Sequence, residues 1–176
     1  MNNYLPTDYQ AFIHTSRYAR WLDSEGRRES WPETVGRYMN DVVRRALDTD
    51  TISIAKEIED AILSLNLMPS MRAMMTAGPA LDRDNTAGYN CSYLPVDDPK
   101  SFDEAMYILL CGTGVGFSVE RQFISKLPDV PELFESETTV VVKDSKEGWA
   151  KGFRQVLALL WAGEIPKWDV TRIRPA

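Results

Sequence analysis

Apolar positions in the first third of the chain recur at three- and four-residue spacing, the period of an amphipathic helix. Tyr9, Phe12, Ile13 and the stretch from Tyr18 to Leu22 form a first group, which Gly26, Arg27 and Arg28 break. Ser30 then precedes Trp31, Pro32, Glu33 and Thr34. A cap residue, a proline in the first turn and an early acid are helix-start signals. Val35, Tyr38, Met39, Val42, Val43 and Ala46 continue as the apolar stripe of that helix. A third helix starts at Thr51 or Ser53, with Ile54, Ala55, Ile58, Ala61, Ile62 and Leu65 on one face. Stripes of this kind are packing faces before they are anything else.

From Pro69 the pattern changes. PSMRAMMTAG has no clean helical face, and TAGPALDRDNTAGYN is rich in turn formers and is expected to be a loop. Cys91 to Val96 is a short apolar run, expected as a strand. Asp98 or Ser101 caps a helix carrying Phe102, Ala105, Met106, Ile108, Leu109 and Leu110, which CGTGVG stops. Phe117–Glu120 is a second strand candidate. Thr138–Lys143 is a third, largely β-branched. Asp144 or Ser145 opens a helix over Trp149, Phe153, Val156, Leu157, Leu160 and Trp161; Gly163 ends it and Pro166 lies beyond. Asp169–Ile173 is a fourth strand candidate. Helices first, then strands alternating with helices, imply an α/β fold: a helical N-terminal region over 1–68, then an α/β part over 69–176 with largely parallel strands. So few strands suggest an unfinished sheet.

Composition narrows the function classes. The 176 residues carry a net charge of −6. Such a balance disfavours a nucleic-acid-binding surface, yet it leaves room for a nucleotide held by backbone N–H groups. No apolar run approaches the roughly 20 residues that span a bilayer. The start MNNYLPTDYQ lacks the basic and apolar regions of a secretory signal, so the expected compartment is the cytoplasm. Two cysteines and a single histidine make neither a disulfide framework nor a self-contained zinc site, and no metal site is expected.

Few residues offer chemistry. Cys91, at a strand start after a loop rich in glycine and asparagine, is either a redox thiol or a small buried hydrophobe. Gly112-Thr113-Gly114-Val115-Gly116 follows a helix and precedes a strand, the reverse of the dinucleotide-binding order. It is either a helix stop with a tight turn or a place where backbone approaches a ligand closely. Ser70 and Arg72 together suit a phosphate or a sugar hydroxyl, although Arg72 serves equally as a partner for a carboxylate. Asp97-Asp98 on a strand would point to opposite faces, which fits a helix cap better than a metal pair. His14, among aromatic residues, is a packing or surface residue. On these residues alone the chain is an incomplete α/β domain with a candidate pocket from Ser70, Cys91 and the 112–116 turn.

Six segments in order carry a resemblance across nearly the whole chain: YARWLDSEGRRESWPETVGRY, MPSMRAMMTAG, NCSYLPVDDPKSFDEAM, GTGVGFSVERQ, DSKEGWAKGF and WDVTRIRPA. Together they are similar to ribonucleotide reductase catalytic subunits, and the first segment resembles the adenosylcobalamin-dependent class most. The resemblance implies that the α/β part is the start of a ten-stranded α/β barrel, incomplete in this chain. It implies conversion of ribonucleotides to 2′-deoxyribonucleotides by radical chemistry. Cys91 falls in the family's NC motif and would be the first of two cysteines that reduce the 2′ carbon and close a disulfide. Ser70, Asn90, Thr113 and Gly114 would contact the substrate. Cys111 matches no family cysteine with a role.

The resemblance further implies adenosylcobalamin as cofactor, bound mainly by residues outside this chain, and an external dithiol reductant such as thioredoxin. The family's radical-bearing cysteine, second reducing cysteine and main phosphate loop have no counterpart here. A C-terminal reductase fragment is therefore expected to complete the barrel. The alternative is a non-catalytic binding or regulatory module derived from a reductase.

Overall fold

The computed structural model describes residues 4–48 and 51–175. Two compact units divide the chain between Tyr89 and Asn90. Residues 69–89, which the change of texture at Pro69 grouped with the α/β part, thus lie in the helical unit.

In the first unit, α1 (Asp8–Ile13) runs into a π-helical turn at His14–Tyr18. A short hairpin follows, β1 (Trp21–Leu22) with β2 (Arg27–Arg28), turned by Gly26 at φ 62°. The glycine expected only to break a helix makes this turn. Helix α2 (Trp31–Tyr38) starts as expected: Glu33 Oε2 accepts the Ser30 backbone N–H at 2.6 Å. It continues through a π-turn, Met39–Val43, into α3 (Arg44–Ala46). Helix α4 (Ile54–Leu63) ends with Leu65 left-handed at φ 62°. There the Leu65 N–H donates to Ile62 and the Asn66 N–H to Ala61, at 3.0 and 2.9 Å, the paired bonds that commonly close a helix on glycine. A leucine tolerates that backbone because its side chain packs on the core. Helices α5 (Met71–Thr76) and α6 (Pro79–Arg83) and a 3₁₀ turn (Asn85–Gly88) occupy the stretch expected as a loop. The core is Leu5, Trp31, Val35, Met39, Ala55, Ile62 and Met74. Buried Met74 explains why a segment without a clean stripe is helical: tertiary packing overrides weak periodicity.

A polar network is buried beside this core. Glu29 and Arg37 form a two-pronged pair, with Nε to Oε1 at 2.7 Å and Nη2 to Oε2 at 2.8 Å. Arg37 also donates to the carbonyls of Met74 and Ala77, tying α2 to α5. The Thr34 hydroxyl donates to Glu29 Oε2 at 3.0 Å, and Thr34 Oγ1 lies 2.9 Å from His14 Nε2. Burial pushes the His14 pKa below its ordinary value of 6.5, with nearby Glu29 raising and Arg37 lowering it. Burial pushes the Glu29 carboxyl up, but Arg37 and the Arg20 N–H outweigh this and hold it below 4.5.

Both shifts make the unit acid-sensitive. Above about pH 7 neither group differs in protonation between the folded and unfolded chain. As pH falls through 6.5 the unfolded chain takes up a proton on His14 that the folded chain resists, and stability declines. Below 4.5 Glu29 adds a second decline. Urea midpoints of this unit, followed from pH 8 to pH 4, should fall in these two stages, and His14→Gln should remove the first. A midpoint independent of pH from 7 to 5 in the wild type would contradict the buried neutral imidazole.

The second unit consists of two strand–helix–strand modules. Strand β3 (Cys91–Pro95) pairs in parallel with β4 (Gly114–Ser118), connected by α7 (Lys100–Leu110). After a short helix α8 (Arg121–Ile124), β5 (Phe134–Val141) pairs in parallel with β6 (Glu164–Asp169), connected by α9 (Lys146–Trp161). The parallel pairing matches the expectation; three strands have other bounds, the one expected at Thr138–Lys143 being β5, which starts four residues earlier. Strand β4 starts at Gly114 rather than Phe117, because the ladder with β3 captures glycines of low strand propensity. Only Gly112, at φ 85°, serves the helix stop. Strand β6 precedes the expected Asp169–Ile173 and contains Pro166, which falls where the register slips between Glu135 and Thr139, a place where a missing N–H costs least.

Helices α7 and α9 pack together. Arg154 donates to Asp103 Oδ2 at 2.7 Å, and the Phe102 and Trp161 rings lie 6.0 Å apart. Gly148 and Gly152, one turn apart on α9, lie against Lys143 and Val142, the residues just after β5. A Cβ on Gly148 would come within 2.3 Å of the Lys143 carbonyl oxygen. No described helix is long and apolar enough to cross a membrane.

Candidate functional site

Strand parity decides what surrounds Cys91. In a parallel pair, residues in register share a face. Cys91 is opposite Gly114 and Tyr93 opposite Gly116. All four are exposed, whereas Ser92, Leu94 and Val115 on the other face are half-buried. The open face of this module therefore presents a thiol and a phenol, with two glycines beside them that contribute no side chain.

The site is braced by backbone. The Gly114 N–H donates to the Asn90 carbonyl at 2.9 Å, and the Ser92 hydroxyl donates to the Gly114 carbonyl at 3.1 Å. Thr113 is 1% exposed and its N–H donates to Ile108, so it anchors the turn from within. A Cβ on Gly114 would lie 3.5 Å from the Asn90 carbonyl oxygen, an ordinary contact.

Asn90, Cys91, Thr113 and Gly114 thus form one cluster at the start of the β3–β4 ladder. Ser70 belongs to the first unit, where it is exposed at the start of α5 and makes no side-chain cap. Tyr93 was not singled out from the sequence; its place two residues after Cys91 on a strand is the signal that finds it. Cys111, at the end of α7, is half-buried and accepts from the Lys146 ammonium at 3.1 Å. That ammonium also lies 5.1 Å from the Tyr107 ring centre. Neither cysteine is in a disulfide, and no group of three or more candidate metal ligands converges among the described residues.

No protein-family model matches the chain. Among curated proteins, it is 27% identical over 163 residues to the adenosylcobalamin-dependent ribonucleoside-triphosphate reductase of Lactobacillus delbrueckii subsp. bulgaricus, covering 75% of this chain and 22% of that one. The same-named enzyme of Lacticaseibacillus paracasei is 28% identical over 173 residues, covering 78% and 22%. The chain is homologous to adenosylcobalamin-dependent ribonucleoside-triphosphate reductases over about 75% of its length. It spans about 22% of the length of these reductases. A solved B12-dependent (class II) ribonucleotide reductase superimposes with a TM-score of 0.76 at 20% identity, covering 94% of this chain and 32% of that one. The likeness to the solved reductase is one of fold: mixed α/β with small sheets.

Proposed function

We propose that this chain forms the opening part of a ribonucleotide reductase catalytic barrel and supplies the first of its two reducing thiols. The observation that carries this reading is the exposed Cys91 thiol at the start of β3, with Gly114 in register beside it. With Gly114 and Gly116 on the adjacent strand contributing no side chain to the open face, a ribonucleotide lies against the β4 backbone and brings its 2′ carbon to the thiol. Cys91 and a second thiol deliver two electrons there; the 2′ hydroxyl leaves as water and the two sulfurs close a disulfide. An external dithiol such as thioredoxin then reopens it. Ser70, Asn90 and Gly114 are the substrate contacts of this proposal, and Thr113, 1% exposed, serves them by holding the turn.

Adenosylcobalamin would supply the radical in this class, but the residues present here do not form its site. The one histidine, a natural cobalt ligand, is 4% exposed and bound through Nε2 to Thr34. Only reduction is assigned to this chain.

The sheets support the reading that further strands complete a barrel. The β3–β4 and β5–β6 pairs are two-stranded and share no ladder among the described residues. Tyr93, Phe117, Phe134 and Trp168 are each more than 60% exposed. Parallel strands are normally covered on both faces, so the remaining reductase strands, in a longer chain or a second one, cover these. Joining this chain to the remaining reductase sequence, as one polypeptide or by co-expression, should give adenosylcobalamin-dependent nucleotide reduction. A stable assembly that binds nucleotide but never reduces it would favour the non-catalytic module.

Gly114→Val in that assembly should raise KM at least roughly tenfold while the melting temperature stays near normal. The helix stop belongs to Gly112, and a side chain at Gly114 meets only ordinary contact within the protein. A collapsed melting temperature with unchanged KM would return Gly114 to a structural role.

A further inference from the structure

The face of the β3–β4 ladder that carries Cys91 also carries an aromatic ring. Tyr93 lies two residues further along β3, so its side chain leaves the same face, about 6.5 Å along the strand from Cys91. The ring is 64% exposed. Its register partner is Gly116, and the ring stands beside that glycine: a Cβ built there would lie 3.9 Å from Tyr93 Cδ2. Gly114 is the register partner of Cys91. The two glycines thus leave a trough along β4, flanked on the β3 side by a thiol at one end and a phenol ring at the other. Ser92, Leu94 and Val115, which do the packing, are half-buried on the opposite face.

This spacing matches the shape of a nucleotide. When the 2′ carbon rests against the Cys91 sulfur, the base hangs from the neighbouring 1′ carbon, and the phosphates leave from the other side of the sugar. One side-chain step along the face from the thiol is Tyr93. A phosphate calls for cations or N–H donors, whereas a base calls for a flat π surface. Tyr93 supplies the flat surface and no positive charge, so the base is the part of the nucleotide that suits this end of the trough.

We propose that Tyr93 is the base platform of the site: the base stacks on its ring while the sugar lies over Gly114. The assignment rests on the reductase reading of Cys91 and adds what holds the base there. Strands that close over this face cover the outer edge of the ring, and the trough beside it stays unfilled by this chain. Every base has a π face, so a platform of this kind binds without selecting among the four.

Tyr93→Ala and Tyr93→Phe, in the active assembly that contains this chain, test the assignment with ATP, GTP, CTP and UTP as probes. Tyr93→Ala should raise KM for all four by roughly tenfold or more, the scale of one lost stack. Its kcat and melting temperature should stay near wild type, because the ring is exposed. Tyr93→Phe keeps the ring and should keep the wild-type KM. Equilibrium dialysis of the same nucleotides reads binding without turnover: Kd should weaken in Tyr93→Ala and hold in Cys91→Ser. Unchanged KM and Kd in Tyr93→Ala, with reduction still abolished in Cys91→Ser, would overturn the platform and leave the reductase reading standing. Binding that Tyr93→Ala weakens but that never leads to reduction would keep the platform and remove the reductase reading. A Tyr93→Phe as impaired as Tyr93→Ala would give the contact to the hydroxyl, and a loss confined to one base would replace stacking with edge recognition; either overturns the proposal. No nucleotide binding by the wild type would overturn both.

Discussion

Cys91→Ser in an active reductase that contains this chain should lower multiple-turnover nucleotide reduction by roughly a thousandfold or more, the scale for losing a group that takes part in the chemistry. The substitution removes one sulfur and little else. Cys91 is exposed, its strand is held by backbone bonds to β4, and serine has nearly the same shape. Folding and nucleotide binding should therefore persist. Cobalamin-based radical formation should remain detectable, because the proposal gives Cys91 the reductive half of the reaction only. Cys111→Ser is the control: its sulfur sits at the end of α7 against Lys146, and activity should be largely kept. Wild-type turnover by Cys91→Ser would remove Cys91 from the reducing pair. A dead Cys111→Ser beside an active Cys91→Ser would mean that the reducing thiol is the one beside Lys146.

The sequence was most informative where local rules and tertiary packing agree. Ser30 and Glu33 mark the start of α2 because a helix cap is a local device, and the structure shows the glutamate bonded back to the Ser30 N–H. The stripe of α4 was legible because that helix buries Ala55 and Ile62 on one face; α7 and α9 form where expected, but what they bury is Ser101, Asp103, Gly148, Ala150 and Gly152 rather than their large apolar residues. Legibility failed where a distant partner decides. The helix at Met71–Thr76 exists because Met74 fills the core and Arg37 binds the carbonyls at its end, and neither fact is local. Gly114 and Gly116 looked like turn residues until β3 supplied a ladder.

The candidate site divides in the same way. Cys91, Asn90, Thr113 and Gly114 converge because strand pairing brings residues 23 positions apart into register; local pattern marks Cys91 as a candidate, and only the family resemblance chooses a redox thiol over a small buried hydrophobe. The Glu29–Thr34–His14 chain was invisible in the sequence. Its members stand 5 and 20 residues apart, and nothing in their spacing announces a hydrogen bond.

Gly148→Ala should destabilise the second unit by about 2–3 kcal/mol, the upper range for inserting one methyl group into a tightly packed place. The added Cβ would lie 2.3 Å from the Lys143 carbonyl oxygen and 2.8 Å from its carbonyl carbon. Those are backbone atoms, so relief requires moving the connection between β5 and α9 rather than turning a side chain. Alanine's helix preference, up to about 1 kcal/mol over glycine, offsets too little. For a unit this size the loss corresponds to a fall in melting temperature of roughly 10–20 °C. Gly152→Ala provides the contrast on the same face of the same helix. Its Cβ would meet the Val142 Cγ2 methyl at 3.1 Å, a contact relieved by a shift of a few tenths of an ångström, and the gain in helix preference should leave stability within about 1 kcal/mol of wild type. Thermal unfolding of the two variants separates the cases. Equal effects would show that the approach of α9 to the Lys143 backbone is looser than this geometry. A large loss confined to Gly148→Ala would establish that this glycine sets the crossover of the β5–α9–β6 module.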